Sequence, residues 1–398
     1  MSVPTKVYLN HLGITTCLGR GKRENLNAFL NGSNSFFTTS DQFTPGKSQT
    51  LGLVNAELPE IPKHLSEYNC RNNNLALDAI LQIKPQIDAA IKKYGSDRVA
   101  VLGASSTTGI KECEDVFKKP ITGKVELPKI QEMGAVSEFV FRYLNLDSFH
   151  FTISTACSSS AKILASARRL LEQNICDAVI AFAADTLSFL TVQGFDSLEA
   201  VSREPTLPFS INRKGINLGE GSAVFLISRE PSGDEIFLAG YGESSDAHHM
   251  SAPDPQGKGA IIAVENSLRL ANLKPSDIHY INLHGTGTQL NDSMESKITY
   301  NIFGGQIPCS SSKSLTGHTL GASGIIEASF CWLLLSSENS DKKLPVHYWD
   351  NAKDPEIPPI QLCQPKMQLP SAKTLYTLSN SFAFGGNNGS IILGKTFI

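Results

Sequence analysis

Short apolar segments alternate along this chain with longer segments whose apolar residues recur at three- and four-residue spacing. The first pattern predicts β-strands and the second predicts amphipathic helices, so their alternation predicts an α/β protein. The predicted strands are 6–12, 98–102, 150–154, 178–182, 223–228, 237–242, 280–283, 375–379 and 390–393. The predicted helices are 22–31, 74–94, 136–143, 159–173, 258–271 and 324–335.

The last predicted helix, 324–335, is apolar on nearly every side. A helix of this kind lies inside a protein, because it has no polar face to present to water. The stretch 37–62 and the proline-rich stretch 353–370 show no clear periodicity, and we expect both to be irregular surface connections.

Two segments of the chain share one predicted order of elements. Residues 149–173 and residues 307–335 each run from a strand through a turn into a helix. This order suggests two halves related by a pseudo-twofold axis, although the similarity between their sequences is too weak to prove a duplication. We expect an N-terminal half over 1–235 and a C-terminal half over 236–398.

Composition narrows the class of protein without identifying it. The 398 residues include 35 basic and 38 acidic side chains, and this balance gives no reason to expect a nucleic-acid partner. No apolar run approaches the roughly 18 residues of a membrane span, and the N-terminus lacks the apolar region of a secretory signal. The eight cysteines are dispersed without a C-x-x-C pair. We therefore expect an enzyme of the cytoplasm with reduced thiols, rather than a disulfide-linked or zinc-binding protein.

The first candidate for chemistry is Cys157, in the segment T-A-C-S-S at 155–159. It follows a predicted strand and precedes a predicted helix, where unpaired amides and the helix dipole create a positive potential. Such a site favours the thiolate and lowers a cysteine pKa from about 8.5 into the range of roughly 3.5–7.5. The ordinary alternative is a small buried cysteine with no chemical role.

Two histidines lie in glycine-rich turns later in the chain. His284 leaves a predicted strand in the segment L-H-G-T-G-T at 283–288, where it could project into a cleft or only fasten the turn. His318 stands just ahead of the apolar helix 324–335. Burial and the helix dipole oppose protonation of His318, so we expect a neutral imidazole that donates a hydrogen bond.

A charged pair accompanies the second histidine. Glu327 interrupts the apolar helix, and a buried carboxylate needs a partner, so Lys313 is its simplest partner. Supporting structure and a direct catalytic role for Lys313 remain equally open at this point.

Near the C-terminus, the glycine-rich segment 380–389 predicts a tight loop whose backbone amides could stabilise an oxyanion, unless it is an ordinary hairpin turn. It does not have the spacing of a phosphate-binding loop. The neighbouring histidines His248 and His249, with Asp246 nearby, could suggest a metal site. Adjacent side chains of an extended segment point in opposite directions, so we expect no metal there.

Four motifs occur in a fixed order: T-A-C-S-S-S at 155–160, H-G-T-G-T at 284–288, K-x-x-x-G-H-x-L-G-A-S-G at 313–324 and N-S-F-x-F-G-G-x-N at 380–388. In this order they resemble the β-ketoacyl-[acyl-carrier-protein] synthases of the type I/II condensing-enzyme group, a branch of the thiolase superfamily. The resemblance also covers shorter segments at 12–19, 217–221 and 245–250. It implies the thiolase fold, a five-layered α-β-α-β-α arrangement of two pseudo-twofold-related halves, and it implies a dimer.

The resemblance also implies a reaction. Cys157 would accept an acyl chain from the phosphopantetheine of an acyl carrier protein. His284 and His318, with Lys313, would then assist the decarboxylation of a malonyl carrier thioester and a Claisen condensation with the bound acyl group. No cofactor is implied apart from the phosphopantetheine that the substrates carry. The dimer partner would be an identical chain or a chain-length-factor homologue.

Further residues take implied roles by position. The backbone N–H groups of Cys157 and Phe384 would form the oxyanion hole, and Glu327 would support Lys313. Thr286, Thr288 and Ser251 would contact the pantetheine arm. Phe195 would form a wall of the acyl pocket, and Phe384 would also gate it.

Several positions depart from the pattern of housekeeping fatty-acid synthases. Glu199 falls where a basic carrier-docking residue is common, and other replacements are Ser210, Ala383 and Asn387. At these positions the chain is more similar to the short ketosynthases of aryl-polyene or related polyketide pathways. A housekeeping fatty-acid synthase is the alternative. A non-catalytic chain-length-factor-like subunit is a further alternative, but Cys157 with both histidines argues against it.

Overall fold

A computed structural model describes residues 6–117 and 128–397 of the chain. Its strands are β1 (Tyr8–Thr16), β2 (Gly19–Arg20), β3 (Thr38–Ser40), β4 (Gln49–Gly52), β5 (Val99–Ala104), β6 (His150–Ile153), β7 (Ala178–Asp185), β8 (Leu218–Gly219), β9 (Gly221–Ser228), β10 (Phe237–Ser245), β11 (Tyr280–Asn282), β12 (Cys309–Ser310), β13 (Thr374–Phe382) and β14 (Asn387–Thr396). Its helices are α1 (Lys22–Asn31), α2 (Arg71–Gln82), α3 (Lys84–Tyr94), α4 (Ile110–Phe117), α5 (Ala135–Tyr143), α6 (Ser159–Glu172), α7 (Phe189–Ser197), α8 (Lys258–Ala271), α9 (Gln289–Phe303), α10 (Lys313–Thr316) and α11 (Ser323–Leu335).

The main sheet contains one strand order twice. From its middle outward, one side runs β1-β9-β7-β5-β6 and the other runs β10-β14-β13-β11-β12. If the five strands of each group are numbered by their order along the chain, both groups run from the middle of the sheet outward as first, fifth, fourth, second and third. The fifth strand is antiparallel to its neighbours on both sides, and the second and third are parallel. The two groups join at the single pair Tyr8 and Phe237.

The helices complete five layers. Helices α6 and α11 each pack against strands of both groups, so they form a central layer between the two strand groups of the main sheet. Helices α2, α3 and α5 cover the outer face of the first group, and α8 covers that of the second. The α-β-α-β-α order expected from the resemblance is therefore confirmed. The division at 235/236 remains a prediction.

The central layer contains the main apolar core. Every residue of α11 is buried, as its uniformly apolar sequence predicted. Between the sheets it packs with α6 and with inward-facing side chains of β1, β7 and β9. The chemistry-bearing turns that precede α6 and α11 are thus attached to the most deeply buried helices of the protein, which holds them rigidly.

Most predicted elements are present, but two predictions are wrong. The helix predicted over 74–94 is two helices, α2 and α3, because the chain breaks at Ile83 and Pro85 begins a new first turn. The stretch 37–62 contains β3 and β4, which pair with each other, and β4 also pairs with β8 in a small separate sheet. The stretch 353–370 is irregular, as predicted. In the ranges that the structure covers, no helix combines the length and the apolar character required to cross a membrane.

Candidate active site

Cys157 lies in the turn between β6 and α6, where the sequence placed it. The residue before it, Ala156, has a φ of 51°, a left-handed conformation that costs energy for a residue with a Cβ. Ser159 stabilises the turn, because its hydroxyl accepts the Thr155 N–H at 2.8 Å and donates to the Ala156 carbonyl at 2.5 Å. The turn therefore holds the Cys157 side chain at the start of the buried helix.

His318 points its ring at Cys157. Its Nε2 lies 3.0 Å from Cys157 Sγ, while its Nδ1 accepts the backbone N–H of Leu320 at 3.1 Å. Because Nδ1 accepts a hydrogen bond, the proton of the neutral ring lies on Nε2 and faces the sulfur. The backbone of His318 is fixed by bonds to Asn217 O and Gly219 N, at 2.7 and 3.0 Å.

His284 approaches the same point from the end of β11. Its ring is nearly perpendicular to that of His318, with centroids 5.5 Å apart. Lys313 Nζ lies 3.2 Å from His284 Nδ1 and donates to the His284 carbonyl at 2.6 Å. An ammonium can only donate, so His284 Nδ1 is an acceptor and the ring proton lies on Nε2. Both histidines therefore present an Nε2–H group on the side of Cys157.

Lys313 and Glu327 form the expected ion pair, with side chains only 1% and 3% exposed. Burial raises the pKa of Glu327 to about 7 against the opposing effect of the Lys313 ammonium. Burial and, after it, the same ammonium hold the pKa of His284 well below its usual range, and they do the same for His318. Both lowered pKa values favour the neutral imidazole at physiological pH, as expected for His318, and its role as a hydrogen-bond donor in the reaction remains a prediction.

The expectation of a lowered cysteine pKa is wrong. Burial raises the pKa of the Cys157 thiol to about 11, although Lys313 and the backbone N–H groups of Phe384 and Cys157 act in the opposite direction. The side chain is only 5% exposed, so loss of hydration outweighs the positive potential at the helix start. The resting nucleophile is a thiol.

The glycine-rich loop places Phe384 over the nucleophile. Ala383 N–H donates to Asn387 O at 2.8 Å, and Gly385 and Gly386 both have positive φ. This tight turn directs the Phe384 N–H at Cys157, where it favours the thiolate form. The N–H groups of Cys157 and Phe384 thus both act on the nucleophile, and their service as an oxyanion hole remains a prediction.

A pocket of about 380 Å³ leads to the three reactive side chains. Its lining contains eight of the residues to which the resemblance gave a catalytic or substrate-binding role: Cys157, Phe195, Ser251, His284, Thr286, Thr288, His318 and Phe384. Lys313 and Glu327 do not line it and lie behind His284. The Phe195 and Phe384 rings lie 5.5 Å apart, and the Thr286 and Thr288 hydroxyls are 2.9 Å apart.

Two carboxylates that the sequence reasoning missed hold the His284 turn. Glu295 accepts the N–H groups of His284 and Gly285, each at 2.7 Å, and Asp292 accepts that of Gly287 at 3.2 Å. Burial raises the pKa of Glu295 to about 7. Both residues lie three positions apart on α9, directly after the H-G-T-G-T motif. That spacing was the available signal, since it places them on one helix face.

A third missed carboxylate joins the two halves at the site. Asp185, at the end of β7, accepts hydrogen bonds from Ser105, Thr107 and the N–H group of Ala322, all at 2.7–3.0 Å. Because Ala322 immediately precedes α11, this bond fixes the end of the His318 turn against the Cys157 half. Nothing in the local sequence around Asp185 indicates this partner.

One group of potential metal ligands occurs among the described residues. Cys157, His284 and His318 each offer a ligand atom, and these atoms lie within 4.8 Å of one another. The Lys313 ammonium beside His284 opposes a second cation there. His248 and His249 are not part of this group, and His249 Nδ1 accepts the N–H groups of Ser251 and Ala252. The absence of a metal remains a prediction.

Family profiles match most of the chain. One described as the beta-ketoacyl synthase N-terminal domain matches residues 91–232, and the corresponding C-terminal domain matches residues 237–346. The mitochondrial 3-oxoacyl-[acyl-carrier-protein] synthase of Arabidopsis thaliana is 34% identical over 68% of this chain and 61% of its own length. The 3-oxoacyl-[acyl-carrier-protein] synthase 2 of Coxiella burnetii is 32% identical over 81% of each chain.

Solved structures with the same fold include close matches. The ketosynthase ApeO from Xenorhabdus doucetiae, solved in complex with its chain length factor ApeC, gives a TM-score of 0.89 at 44% identity over the full length of both chains. A beta-ketoacyl synthase from Burkholderia phymatum gives 0.83 at 24% identity, over 99% of this chain and all of that chain. The second likeness concerns the fold alone.

Proposed function

This chain belongs to the β-ketoacyl synthase family, and from that premise we propose that it is a condensing acyltransferase that elongates a carrier-bound chain. The observation that carries the proposal is the convergence of a thiol and two imidazole Nε2–H groups at one pocket. One imidazole donor at the sulfur and a second within 4.8 Å of it suit the stabilisation of negative charge on a thiolate and on an enolate.

In the first step Cys157 Sγ attacks the thioester carbonyl of the incoming acyl group. The carbon–sulfur bond to pantetheine breaks, and the thiol proton ends on the departing pantetheine sulfur. Since the pKa of the resting thiol is about 11, negative charge must develop on Sγ during this step. His318 Nε2–H donates to the sulfur, and the Cys157 and Phe384 N–H groups hold the carbonyl oxygen.

In the second step a malonyl thioester loses carbon dioxide. The electrons of the broken carbon–carbon bond move to the thioester oxygen, where the Nε2–H groups of His284 and His318 stabilise the enolate. The enolate carbon then attacks the acyl group on Cys157 and releases the thiolate, which takes up a proton. Lys313 acts through His284, because its ammonium keeps Nδ1 an acceptor, and Glu327 holds Lys313 in place.

The remaining residues would bind the arm and the chain. Thr286 and Thr288 line the pocket with paired hydroxyls suited to the amides of pantetheine, with Ser251 on the same wall. Phe195 and Phe384 would enclose the acyl group. The substrates bring their own phosphopantetheine, so no dissociable cofactor is needed. The cytoplasmic location stays a prediction.

The acyl-enzyme is the decisive test of this mechanism. After incubation with an acyl-carrier thioester, mass spectrometry of the peptide containing Cys157 is expected to show the acyl mass, and Cys157→Ala is expected to abolish it. His284→Ala is expected to retain acylation while condensation falls by about 10²–10⁴-fold. An unmodified Cys157 in a well-folded protein, with every acyl donor tried, would contradict the proposal.

For the substrate we propose an aryl or polyunsaturated chain, and for the partner a chain-length-factor homologue. The departures at Glu199, Ser210, Ala383 and Asn387 support this, as does the 44% identity to a ketosynthase solved with such a partner. A saturated fatty-acid chain is the second candidate, favoured by the names of the relatives. Competition between aryl and saturated acyl donors for Cys157 separates the two, and preferential loading of saturated chains would reject the first.

A further inference from the structure

Three large apolar side chains surround the pocket entrance and face solvent. Leu198 is 55% exposed, Leu290 is 59% exposed and Met250 is 80% exposed. Leu198 and Leu290 line the same pocket that leads to Cys157. Met250 lies beside the Phe384 loop, because its carbonyl accepts the Gly385 N–H at 2.8 Å. We call Leu198, Leu290 and Met250 the entrance rim.

Each of the two cations that line this pocket has an acidic partner within the chain. Arg213 lines the pocket but is buried and paired with Asp354 at 2.6 Å. Lys214 also lines it and is paired with Glu204 at 3.0 Å. Glu199 lines the pocket and is exposed, and its side chain has no hydrogen-bond or ion-pair partner within the described part of the chain. Among the residues that line the pocket, the cations are therefore paired and Glu199 is not.

From this arrangement we propose that the entrance rim docks a carrier protein through apolar contacts, and that the preferred carrier has an apolar docking face of low negative charge. The inference rests on the proposed function, since the carrier must stand at this entrance to deliver its pantetheine arm to Cys157. An acidic docking helix would meet Glu199 and no unpaired cation of the pocket lining. Apolar side chains on the carrier would instead bury Leu198, Leu290 and Met250, as the centres of stable interfaces do.

Salt dependence distinguishes apolar docking from ionic docking. Attraction between exposed charges is screened over about 8 Å at physiological ionic strength, whereas apolar contact does not weaken as sodium chloride is added. The probe is a fatty-acid carrier protein with an acidic docking helix, compared with a variant whose helix carboxylates are replaced by leucine and serine. Both carry the acyl group that loads Cys157 most readily in the test above.

With the apolar carrier variant, KM is expected to change less than about twofold between 50 and 500 mM sodium chloride, because no ion pair is screened. The acidic carrier is expected to be the poorer substrate at low salt. A lower KM for the acidic carrier, rising steeply with salt, would overturn the proposal. If neither carrier nor the matching acyl-N-acetylcysteamine thioester loads Cys157, the proposed function itself fails, which is a separate result.

Substitutions in the entrance rim give a second readout. Leu198→Ser and Leu290→Ser are each expected to lower kcat/KM for the apolar carrier about tenfold more than for the acyl-N-acetylcysteamine thioester, which has no docking face. Leu270→Ser is the matched control, since Leu270 is exposed on α8 and does not line the pocket. An equal loss with both substrates would reject docking, and a changed oligomeric state by light scattering would assign the rim to a second subunit.

The charge of Glu199 supplies the converse test. Glu199→Lys is expected to improve kcat/KM for the acidic carrier several-fold and to make it fall with salt. Glu199→Gln removes the charge without reversing it, so it is expected to give an intermediate effect. No change in carrier preference with Glu199→Lys would show that the entrance charge plays no part in recognition.

Discussion

At the scale of single residues, the site stores its nucleophile in the unreactive form. Cys157 has a hydrogen-bond donor on His318 Nε2 and the N–H group of Phe384 directed at its sulfur, yet burial keeps the thiol protonated. The donors are therefore placed for charge that appears only during the reaction. Preorganised donors of this kind act more strongly on a developing charge than on a neutral ground state.

The protonated resting state of Cys157 predicts how alkylation depends on pH. Since the pKa is about 11, the thiolate fraction, and with it the carboxamidomethylation rate, is expected to rise about tenfold per unit from pH 7 to 9 without a plateau. The rate is measured with iodoacetamide by mass spectrometry of the Cys157 peptide. Cys157→Ala supplies the background from the other cysteines, and a plateau below pH 8 would contradict the prediction.

The buried ion pair of Lys313 and Glu327 predicts that Glu327→Gln destabilises the protein. Glu327→Gln leaves the Lys313 ammonium without its counter-charge inside the protein, and this is expected to lower the free energy of unfolding by roughly 3–5 kcal/mol. Urea denaturation measures the change. The exposed pair of Lys84 and Asp88 is the control, where Asp88→Asn should cost only about 0.3–0.5 kcal/mol. Equal losses at the two sites would mean that burial does not govern the pair.

Local motifs made the reactive residues predictable, but the pKa of Cys157 and some of the supporting contacts depend on segments that are distant in sequence. Cys157, His284 and His318 each stand in a turn whose residues are contiguous in sequence. The Lys313–Glu327 pair followed from a charge on an apolar helix. The raised pKa of Cys157 depends instead on how completely distant segments cover it. Asp185 likewise bonds to Ala322, which is distant in sequence and is brought to it only by the fold.

At the scale of elements, a small sheet determines the position of the His318 turn. Strands β4 and β8 end in Gly52 and Gly219, and both glycines lie against the Thr316 carbonyl of α10. A Cβ at either position would come within 2.1–2.2 Å of that oxygen. The close approach lets Gly219 N–H reach the His318 carbonyl at 3.0 Å. Because Gly52 and Gly219 have no Cβ, the His318 turn can approach the small sheet closely, and this approach determines how near His318 comes to the nucleophile.

Gly219→Ala is expected to displace this turn. A misplacement of about 1 Å costs on the order of 10²-fold in rate, so condensation should fall by that factor, with a loss of stability of about 1–3 kcal/mol. Gly134→Ala is the control, because Gly134 has an ordinary φ of −73° and no heavy atom within 4 Å of the Cβ position. Full condensation activity in Gly219→Ala would show that the turn can shift without consequence.

Elements with strong periodicity were predictable from the sequence, and short or polar ones were not. Helices α1 and α8 begin and end where their apolar patterns predicted. The strands β3, β4 and β8 are two to four residues long, too short for alternation to be visible. Helix α9 was missed because its buried face contains polar residues: Asp292 and Glu295 bind the His284 turn, and Asn291 donates to both carboxylates.

At the scale of the whole molecule, the two edges of the main sheet differ. Edge strand β12 is covered, since Cys309 N–H donates to Gln361 O and Cys363 N–H donates to Cys309 O. Strand β6 pairs only with β5 in the described part of the chain. Because Phe149 O bonds inward to Val101, the backbone groups of His150 and Thr152 point away from the sheet. An uncovered edge of this kind is a surface for pairing with another chain.

The open edge predicts where the dimer forms. His150→Pro removes one outward N–H and adds a ring at the edge, so it is expected to lower the dimer fraction without unfolding the subunit. Sedimentation velocity at a fixed concentration measures the fraction, and circular dichroism checks the fold. His150→Ala keeps the N–H and is expected to leave the dimer intact. An undiminished dimer in His150→Pro would place the interface elsewhere.

The repeated strand order has a consequence for how such a catalyst can evolve. Cys157 precedes α6, and His318 precedes α11, at equivalent places in the two strand groups. In a symmetric assembly of identical units, every mutation would appear at both places and would have to suit both. Within one chain the two places mutate separately, so one can be selected for attack and the other for charge stabilisation. The repeated strand order supplies two equivalent positions, and because they lie in one chain, selection can fit each position to a different step of the reaction.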